Sequence, residues 1–365
     1  MRSFGHADSV LFRRRTRYDT RPALGWRPQV TVQERTVSFI PNAAAFAFTA
    51  VACVPVLKLL RGRAIVDVPN HRSSHTVATP RGAGLAVAIG ALLAVATVRD
   101  HVPGLLVVAV GSAAFGVLGL IEDLRGVNVG GRLLAQTTLA IAATTAIGNT
   151  TDHRVRASAI AVLAVLALFV VSYVNAFNFM DGVNAISGAQ AVVTGVALAV
   201  LGHHFHVLSL EAGAGILAGA ALGFLPFNAP RARMFLGDVG SYFLGAWIAL
   251  LMVLAVLEHV PIVAAVSPAA IYGIDTASTV IRRLRNHEVV FEPHRSHVYQ
   301  QLARRFGSHM AASAVVSTAT AASAALGYVV STTSGWAVAA SGCALVAVVA
   351  GYGSLAQPGS VASGS

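Results

Sequence analysis

The sequence predicts an all-α protein that crosses a membrane about eleven times. Of its 365 residues, 55% are hydrophobic and only 11% are charged, and the mean hydropathy is +0.69. Soluble domains average about a quarter charged residues, so this composition excludes an ordinary soluble fold. It also excludes a disordered chain, which needs low hydrophobicity. A polytopic membrane protein remains, and helix is the structure that satisfies the backbone of each separate span in lipid.

Apolar runs long enough to cross a bilayer of about 30 Å recur along the chain, separated by polar clusters. Small residues are frequent inside them, which lets neighbouring helices approach closely and predicts a packed bundle. The predicted spans, with approximate boundaries, are 37–58, 82–98, 104–121, 133–148, 158–174, 183–202, 213–228, 239–257, 261–280, 309–330 and 336–354.

The connections between the spans divide into two faces with very different charge. One face, with Lys58 at its border, carries 15 basic residues, whereas the other carries only Arg99, Arg154 and Arg156. Because cytoplasmic loops are enriched in Lys and Arg, the basic face is predicted to be cytoplasmic in a multi-pass protein of the plasma (inner) membrane. This distribution indicates orientation and phosphate binding, not nucleic-acid binding. The connections on the basic face are 59–81, 122–132, 175–182, 229–238 and 281–308.

The predicted domain organisation is a basic tail over 1–36, a single membrane domain over 37–354 and a short tail over 355–365. The first tail carries eight Arg against three acidic residues, yet an odd number of spans would place it on the outer face. It has no apolar core of a signal peptide. We interpret it as a start codon assigned too early or as a disordered tail lying on the surface, and a miscounted span is the alternative.

The acidic residues concentrate on the basic face. A carboxylate at the membrane boundary is costly to desolvate and usually serves a cation, a proton or a substrate. The opposite connections hold only Asp100, Asp152, Glu211 and Glu258. The basic face therefore predicts an active site at the membrane surface. Its eight acidic residues are Asp67, Glu122, Asp123, Asp181, Asp238, Asp275, Glu288 and Glu292.

The first of these loops is rich in polar and basic side chains and runs into a glycine-rich helix start, Gly82-Ala83-Gly84. Such a stretch suits phosphate, with a solvated turn as the alternative. Its candidate substrate-binding residues are Asp67, Asn70, Arg72, His75 and Arg81.

The second loop begins with the adjacent carboxylates Glu122 and Asp123. They repel each other, so one pKa should be raised unless a metal or an arginine neutralises the pair. This makes them candidates for a metal ligand and a base, and the alternative is an ordinary helix end.

The third and fourth loops combine carboxylates with carboxamides. Asn175 and Asn178 would share a helix face if the fifth span continues, and Asp181 and Asn184 follow them. Helix capping explains one such Asn but hardly three. Asn228 precedes Asp238, which lies next to glycines that would let a metal approach the backbone; an N-cap Asp is the alternative.

The fifth loop is the longest and most basic. His294 and His297 first suggest zinc, but no Cys is near, and the accompanying carboxylates are hard oxygen ligands that suit magnesium. The segment starting at His287 also lacks the second histidine of a zinc-protease helix. His294, Arg295 and His297 suit anionic phosphate better, and a plain basic loop facing the membrane is the alternative.

These motifs together resemble the polyprenyl-phosphate N-acetylhexosamine-1-phosphate transferases of glycosyltransferase family 4, the superfamily of the WecA-like and MraY-like enzymes. The resemblance covers the chain from about Asp67 to Gln300, and the His-Arg-Ser-His form is closer to the WecA-like branch. Its five signatures, in order, are Asp67-Val-Pro-Asn70 with Pro80-Arg81-Gly82; Glu122-Asp123; Asn175 to Gly182; Phe235 to Ser241; and His294 to Gln300.

The resemblance implies that a magnesium-dependent enzyme, in which Mn²⁺ can replace Mg²⁺, transfers a sugar 1-phosphate from a UDP-N-acetylhexosamine to a polyprenyl phosphate and releases UMP. Such enzymes start cell-wall, capsule or O-antigen glycans. A lipid-borne nucleophile independently requires a site at the bilayer surface, and two phosphate-bearing substrates require a metal and fixed cations. The partners to test are both substrates, membrane lipids and a second copy of the chain as a homodimer.

The resemblance also implies roles for single residues. Asp238 matches the principal magnesium ligand, and Asp123 matches a second carboxylate close to the metal. Glu122 stands where the family usually has Asp, at a position proposed as the base. Asp181 matches a contact to the nucleotide sugar, and Asn184 departs from an Asp common at its position. The family's basic motif, which is assigned to the diphosphate or the lipid phosphate, matches His294, Arg295 and His297.

A secondary transporter and a structural membrane scaffold are the two alternative classes of protein. A secondary transporter also suits a bundle of many spans, but transporters bind substrate near the bilayer midplane, whereas these acids lie at one set of loop ends. A structural membrane scaffold has no need for aligned carboxylates.

Overall fold

The structure, a computed structural model, describes residues 39–68, 77–99, 102–151, 157–288 and 296–355. It confirms the predicted all-α, polytopic membrane fold. The α-helices within these ranges are α1 Ile40–Gly62, α2 Gly84–Val95, α3 Pro103–Arg125, α4 Val129–Thr150, α5 Ala157–Met180, α6 Ile186–His204, α7 Leu208–Asn228, α8 Gly237–Leu257, α9 Ile262–Val266, α10 Ala270–Arg285, α11 Val298–Phe306, α12 His309–Thr332 and α13 Trp336–Ser354. The strands β1 Val66–Asp67 and β2 Thr79–Pro80 form a short antiparallel pair.

Each of the predicted spans contains a helix, but the helices differ in how well they suit a bilayer. In the described ranges, eight are long and apolar enough to cross a membrane by length and composition. The other predicted spans correspond to α2, which has 12 residues, to α4, and to a broken helix around Pro268. The total of eleven crossings stays a prediction.

The ninth predicted span, 261–280, is not one continuous helix. The chain forms α9, a 3-10 turn over Ser267–Ala269, and then α10. Pro268 explains the break, because proline has no N–H for the helix and its ring clashes with the preceding turn. Gln190 of α6 donates from Nε2 to the Pro268 carbonyl at 3.0 Å, and it accepts from Thr320 at 2.8 Å. The break is thus stabilised by hydrogen bonds inside the bundle.

Helix α8 forms the centre of the bundle. Of its 21 residues, 18 are buried, as expected for a helix that is apolar on every side. Two glycines of neighbouring helices let its first turn approach other backbones closely. A Cβ on Gly119 of α3 would lie 2.2 Å from the Asp238 carbonyl oxygen, and one on Gly84 of α2 would lie 2.0 Å from the Gly240 Cα. These contacts fix the start of α8 against α3 and α2.

The described parts of the predicted loops of the basic face lie together at one end of the bundle. The Pro80 carbonyl accepts from Phe235 N at 2.7 Å, which joins the first loop to the fourth, and Ala185 N donates to Asn228 Oδ1 at 2.6 Å, which joins the third to the fourth. At the opposite end, Glu211 approaches His203, at the connection between α6 and α7. The chain therefore alternates between two ends, as the span prediction requires.

Several predicted boundaries are wrong by a turn or more. Glu122 and Asp123 lie in the last turns of α3, not in a loop, and α5 continues to Met180, so Asn175 and Asn178 are helical. The fifth loop contains the amphipathic helix α11. Five of the predicted site residues, and the tail 1–36, lie outside the described residues. The five are Asn70, Arg72, His75, His294 and Arg295.

Candidate active site

An arginine bridges two carboxylates at the end of the bundle that carries the polar loops. Arg81 places Nε 3.1 Å from Asp123 Oδ1 and a terminal nitrogen 2.8 Å from Asp238 Oδ1. The Asp123 side chain is 9% exposed and that of Asp238 is 19% exposed, whereas Arg81 is 40% exposed. Three predicted site residues from three separate elements are thus brought together in one cluster that faces out of the bundle.

Local structure explains why the two carboxylates approach each other. Gly237 has a φ of +75°, which glycine adopts without strain, and a Cβ there would lie 2.9 Å from Asp123 Oδ2. This turn aims the N-terminus of α8 at Asp123, whose Oδ2 accepts from Val239 N at 2.9 Å. Asp238 lies in the first turn of α8, where the helix dipole favours a negative charge. Asn178 donates to Asp238 Oδ1 at 2.9 Å and so fixes its orientation.

The donor set of this cluster fits a hard divalent cation completed by other ligands. Asp123 Oδ1 is buried and accepts no hydrogen bond of good geometry from the described residues, although Arg81 lies nearby. Mg²⁺ is usually held by one or two carboxylates together with waters and substrate phosphates. Within the described ranges, no group of three or more His, Cys, Asp or Glu is arranged to hold a metal, and zinc sites generally need three or four protein ligands. Asp123 and Asp238 would therefore fit a magnesium ion that is completed by water and substrate oxygens.

Glu122 is engaged separately from its neighbour Asp123. Its Oε1 accepts from Arg132 at 2.7 Å, and its Oε2 accepts from the Tyr242 hydroxyl at 2.6 Å. Each of the two adjacent carboxylates is therefore paired with a different arginine. Arginine is one of the two neutralising partners, metal or arginine, that the sequence leaves open. The extra methylene of Glu122, relative to Asp, lets one carboxylate reach both α4 and α8.

Shortening this side chain tests whether its length matters. Glu122→Asp should lose about 10–100-fold in turnover, the usual cost of disturbing a group that orients a site, because the shorter carboxylate cannot hold Arg132 and Tyr242 together. Initial rates of UMP release at saturating substrates measure the effect. Wild-type turnover in Glu122→Asp would show that the site does not depend on the longer side chain.

Asp181 lies just beyond α5 and next to the cluster. Its Oδ1 accepts from the Ser187 hydroxyl at 2.6 Å. Burial raises the pKa of this carboxyl to about 6, and the Ser187 hydrogen bond and Arg81 oppose the rise only in part. Ionised Asp181 is therefore a cost to the folded protein at neutral pH, which is typical of a group retained for function.

This cost gives a pH-dependent prediction for stability. The pKa of Asp181 is higher in the folded chain than in the unfolded chain, so the free energy of unfolding should fall as pH rises from about 4 to about 6. Asp181→Asn should therefore be more stable than wild type at pH 8, by about 1–2 kcal/mol for a partly buried group, and similar to it at pH 4. Thermal melts in detergent at the two pH values test this, and a difference that does not change with pH would contradict it.

Three of the predicted carboxamides make contacts within the protein. Asn228 is buried, accepts from Ala185 N and donates to the Met234 carbonyl at 3.1 Å. Asn184 donates to the Pro230 carbonyl at 2.9 Å, so these two residues hold the third and fourth loops together. Asn175 donates to Gln136 Oε1 at 2.6 Å, on α4. Of the four predicted Asn side chains described, Asn178 is the one that contacts the carboxylate cluster.

The remaining described residues of the predicted site lie at its margins. Asp67 is paired with Thr79 in the short sheet, and Thr79 lies two residues before Arg81 in the chain. His297 is 4% exposed at the start of α11, with Nδ1 2.8 Å from Asp275 Oδ1. Sequence reasoning counted Asp275 among the acids but did not assign it to the site. The signal was present, because an acidic residue inside a predicted span is rarely there without a function.

The fold and this cluster define a multi-pass membrane protein with an acidic and basic site at one end of its bundle. The family model described as glycosyl transferase family 4 matches residues 105–256. A probable undecaprenyl-phosphate N-acetylglucosaminyl 1-phosphate transferase of Bacillus subtilis (strain 168) is 27% identical over 287 residues, which cover 74% of this chain and 79% of the relative.

Two further relatives match a similar part of the chain. A decaprenyl-phosphate N-acetylglucosaminephosphotransferase of Mycolicibacterium smegmatis is 28% identical and covers 73% of this chain and 75% of its own. A phospho-N-acetylmuramoyl-pentapeptide-transferase of Desulforudis audaxviator is 28% identical and covers 67% and 82%. The chain is thus similar to glycosyl transferase family 4 and to transferases of this kind, in agreement with the resemblance that its motifs indicate.

Proposed function

We propose that this protein transfers an N-acetylhexosamine 1-phosphate, such as that of N-acetylglucosamine, from a UDP-sugar to undecaprenyl or decaprenyl phosphate and releases UMP. The product, a polyprenyl diphosphate sugar, would start a cell-wall, capsule or O-antigen glycan. The observation that carries the proposal is the cluster of Asp123, Asp238 and Arg81 at one end of a membrane bundle. Relatives named for such transfers to undecaprenyl and decaprenyl phosphate support it.

The reaction requires little covalent chemistry from the protein. An oxygen of the lipid phosphate attacks the phosphorus that carries the sugar, the bond from this phosphorus to the bridging oxygen breaks, and UMP leaves with that oxygen. Arg81 would offset the charge on the transferring phosphoryl group, which is the main requirement of such a transition state. A magnesium ion bound by Asp123 and Asp238 would supply further positive charge beside the diphosphate.

The nucleophile does not require a strong base. A phosphate monoester is largely ionised near neutral pH, with a second pKa of about 6 by analogy with phosphorylated side chains. Glu122 can therefore remain paired with Arg132 and Tyr242, as it is in this structure. In this proposal its contribution is to hold Arg132 near the lipid phosphate.

An apolar cavity of about 560 Å³ offers space for part of the prenyl chain. It lies between α5, the broken helix and α13, and its lining includes Phe169, Ile274 and Val349. Ile274 immediately precedes Asp275, so the cavity and the polar end of the bundle share α10. A lipid bound there would keep its chain in apolar surroundings and its phosphate near the basic loops.

We further propose that the site faces the cytoplasm from the inner membrane. Support comes from the 15 basic residues on the connections at the end that carries the site, against three on the others. The acids also gather at this end and not at mid-span, which disfavours the transporter alternative.

A reconstituted assay tests the proposed function. Purified protein in detergent, given decaprenyl or undecaprenyl phosphate, magnesium and a panel of UDP-N-acetylhexosamines, should release UMP with at least one sugar. EDTA should stop the release, and added Mg²⁺ or Mn²⁺ should restore it. No UMP from any sugar of the panel, with both lipids present, would contradict the proposal.

A further inference from the structure

Asp275 of α10 is a fully buried carboxylate that is surrounded by hydrogen-bond donors. Its Oδ1 lies 2.8 Å from His297 Nδ1 and 3.1 Å from Val298 N. Its Oδ2 lies 3.1 Å from Tyr299 N and 2.7 Å from the Tyr352 hydroxyl. Its exposed fraction is 0%, so these contacts must replace the water that the carboxylate loses on folding.

Two of these donors are the first backbone N–H groups of α11. A helix start leaves such groups without partners inside the helix, and a carboxylate is a strong acceptor for them. Here the carboxylate comes from another helix, while the backbone N of the N-cap residue His297 donates to Gln300 Oε1 at 3.3 Å. Asp275 therefore fixes the position of α11, and with it the end of the basic motif, relative to the membrane bundle.

The same contacts determine which His297 nitrogen carries hydrogen. An ionised carboxylate only accepts hydrogen bonds, so the ring must donate to Asp275 from Nδ1. A carboxylate that accepts from one ring nitrogen of a histidine fixes the orientation of the ring and therefore the direction of its other nitrogen. At 4% exposure, the His297 ring is held in one position by the protein.

The contacts of α11 extend to the loop that carries Asp181. The Tyr299 hydroxyl donates to the Phe179 carbonyl at 3.0 Å. A Cβ on Gly182 would lie 2.1 Å from that hydroxyl oxygen, so α11 packs directly on the segment around Asp181. The His297 ring lies 6.2 Å from the Phe179 ring, centroid to centroid. Holding α11 in place thus holds His297 beside the candidate site.

We propose that Asp275 is a positioning residue for the transfer: it holds His297 through Nδ1–H so that the imidazolium form of the ring donates from Nε2–H to a phosphate oxygen of a substrate. This inference rests on the proposed function and adds to it a residue outside the predicted site. Asp275 acts through His297 and does not itself touch substrate. Asp275 is expected to contribute in the transition state, so its loss should change kcat more than KM.

The test compares four variants in the UMP-release assay. Asp275→Asn and His297→Gln should each lose about 10–100-fold in kcat, with KM for both substrates little changed. The double variant should be no worse than His297→Gln alone, because Asp275 acts through that ring. Tyr352→Phe removes one donor to Oδ2 and leaves the His297 contact, so its loss should be clearly smaller.

A matched control lies at the opposite end of the bundle. Glu211 also contacts a histidine, with Oε1 3.2 Å from His203 Nδ1, and Glu211→Gln should leave activity unchanged. Wild-type kcat in His297→Gln or in Asp275→Asn would overturn the inference and leave the proposed function standing. An equal loss in Tyr352→Phe and Asp275→Asn would also overturn it, because the carboxylate would then serve helix packing. A wild-type protein that releases no UMP would overturn both proposals.

Discussion

Asp238→Asn is expected to reduce the rate of UMP release by about 10²–10³-fold or more, the scale of losing one main electrostatic contact to a transition state. The change keeps the size of the side chain and removes its charge. Asp238 is positioned by Arg81, Asn178 and the first turn of α8, so an amide can occupy the same place without a change in fold. What it loses is the ability to bind a hard divalent cation.

The control for this variant lies at the other end of the same helix, just after its last residue. Glu258 follows the C-terminal end of α8, far from the cluster, and Glu258→Gln should keep full activity. Raising magnesium should restore part of the activity of Asp238→Asn if the defect is weaker metal binding. Full turnover of Asp238→Asn at limiting magnesium would show that Asp238 is not a metal ligand.

Arg81→Lys is expected to lose about 10²-fold or more, although the charge is kept. The guanidinium reaches Asp123 through Nε and Asp238 through a terminal nitrogen, so a planar group with several donors is needed to hold both. Lysine presents a single point charge and can pair with only one of them at a time. The arrangement of the two carboxylates should change, and the positive charge should be placed less well for the phosphoryl group.

Arg233→Lys is the matched control for that change. Arg233 lies at the same end of the bundle, but its guanidinium packs 4.5 Å from the centre of the Phe227 ring and donates to the Pro226 carbonyl. Its replacement should cost little activity. Equal losses in the two arginine variants would indicate a general effect of basic charge near the membrane, and the bridging role of Arg81 would then be wrong.

The fold could be predicted from the sequence because long apolar runs have few alternatives in lipid. Helices such as α3, α7 and α8 follow directly from their composition. Helix interruptions were harder to predict. The break at Pro268 lies inside an apolar run, and side chains bond to the carbonyls there: Ser267 donates to the Ala264 carbonyl, and Gln190 of α6 donates to the Pro268 carbonyl. The fifth loop looked irregular because α11 is short and amphipathic, and its start is fixed by a carboxylate from another helix.

The site was predictable where residue type alone carries the information. Asp123, Asp238 and Arg81 stood out because charged groups are rare in this chain and these three lie at span ends. The partners of other site residues did not stand out, because Tyr242 meets Glu122 and Asp275 meets His297 only through packing between separate helices. Ser187 meets Asp181 across a turn. Asn184 and Asn228 hold two loops together in the structure, and their role in substrate binding stays a prediction. Residue type could not separate these two uses of the same side chain.

Asp123 and Asp238 together are proposed to bind one divalent cation at this end of the bundle. Electron paramagnetic resonance of Mn²⁺, titrated into purified protein with UMP present, measures binding without requiring turnover. The account predicts about one bound ion per chain for wild type and for Glu258→Gln, and a large loss of binding in both Asp123→Asn and Asp238→Asn. Unchanged Mn²⁺ binding in the two aspartate variants would contradict it.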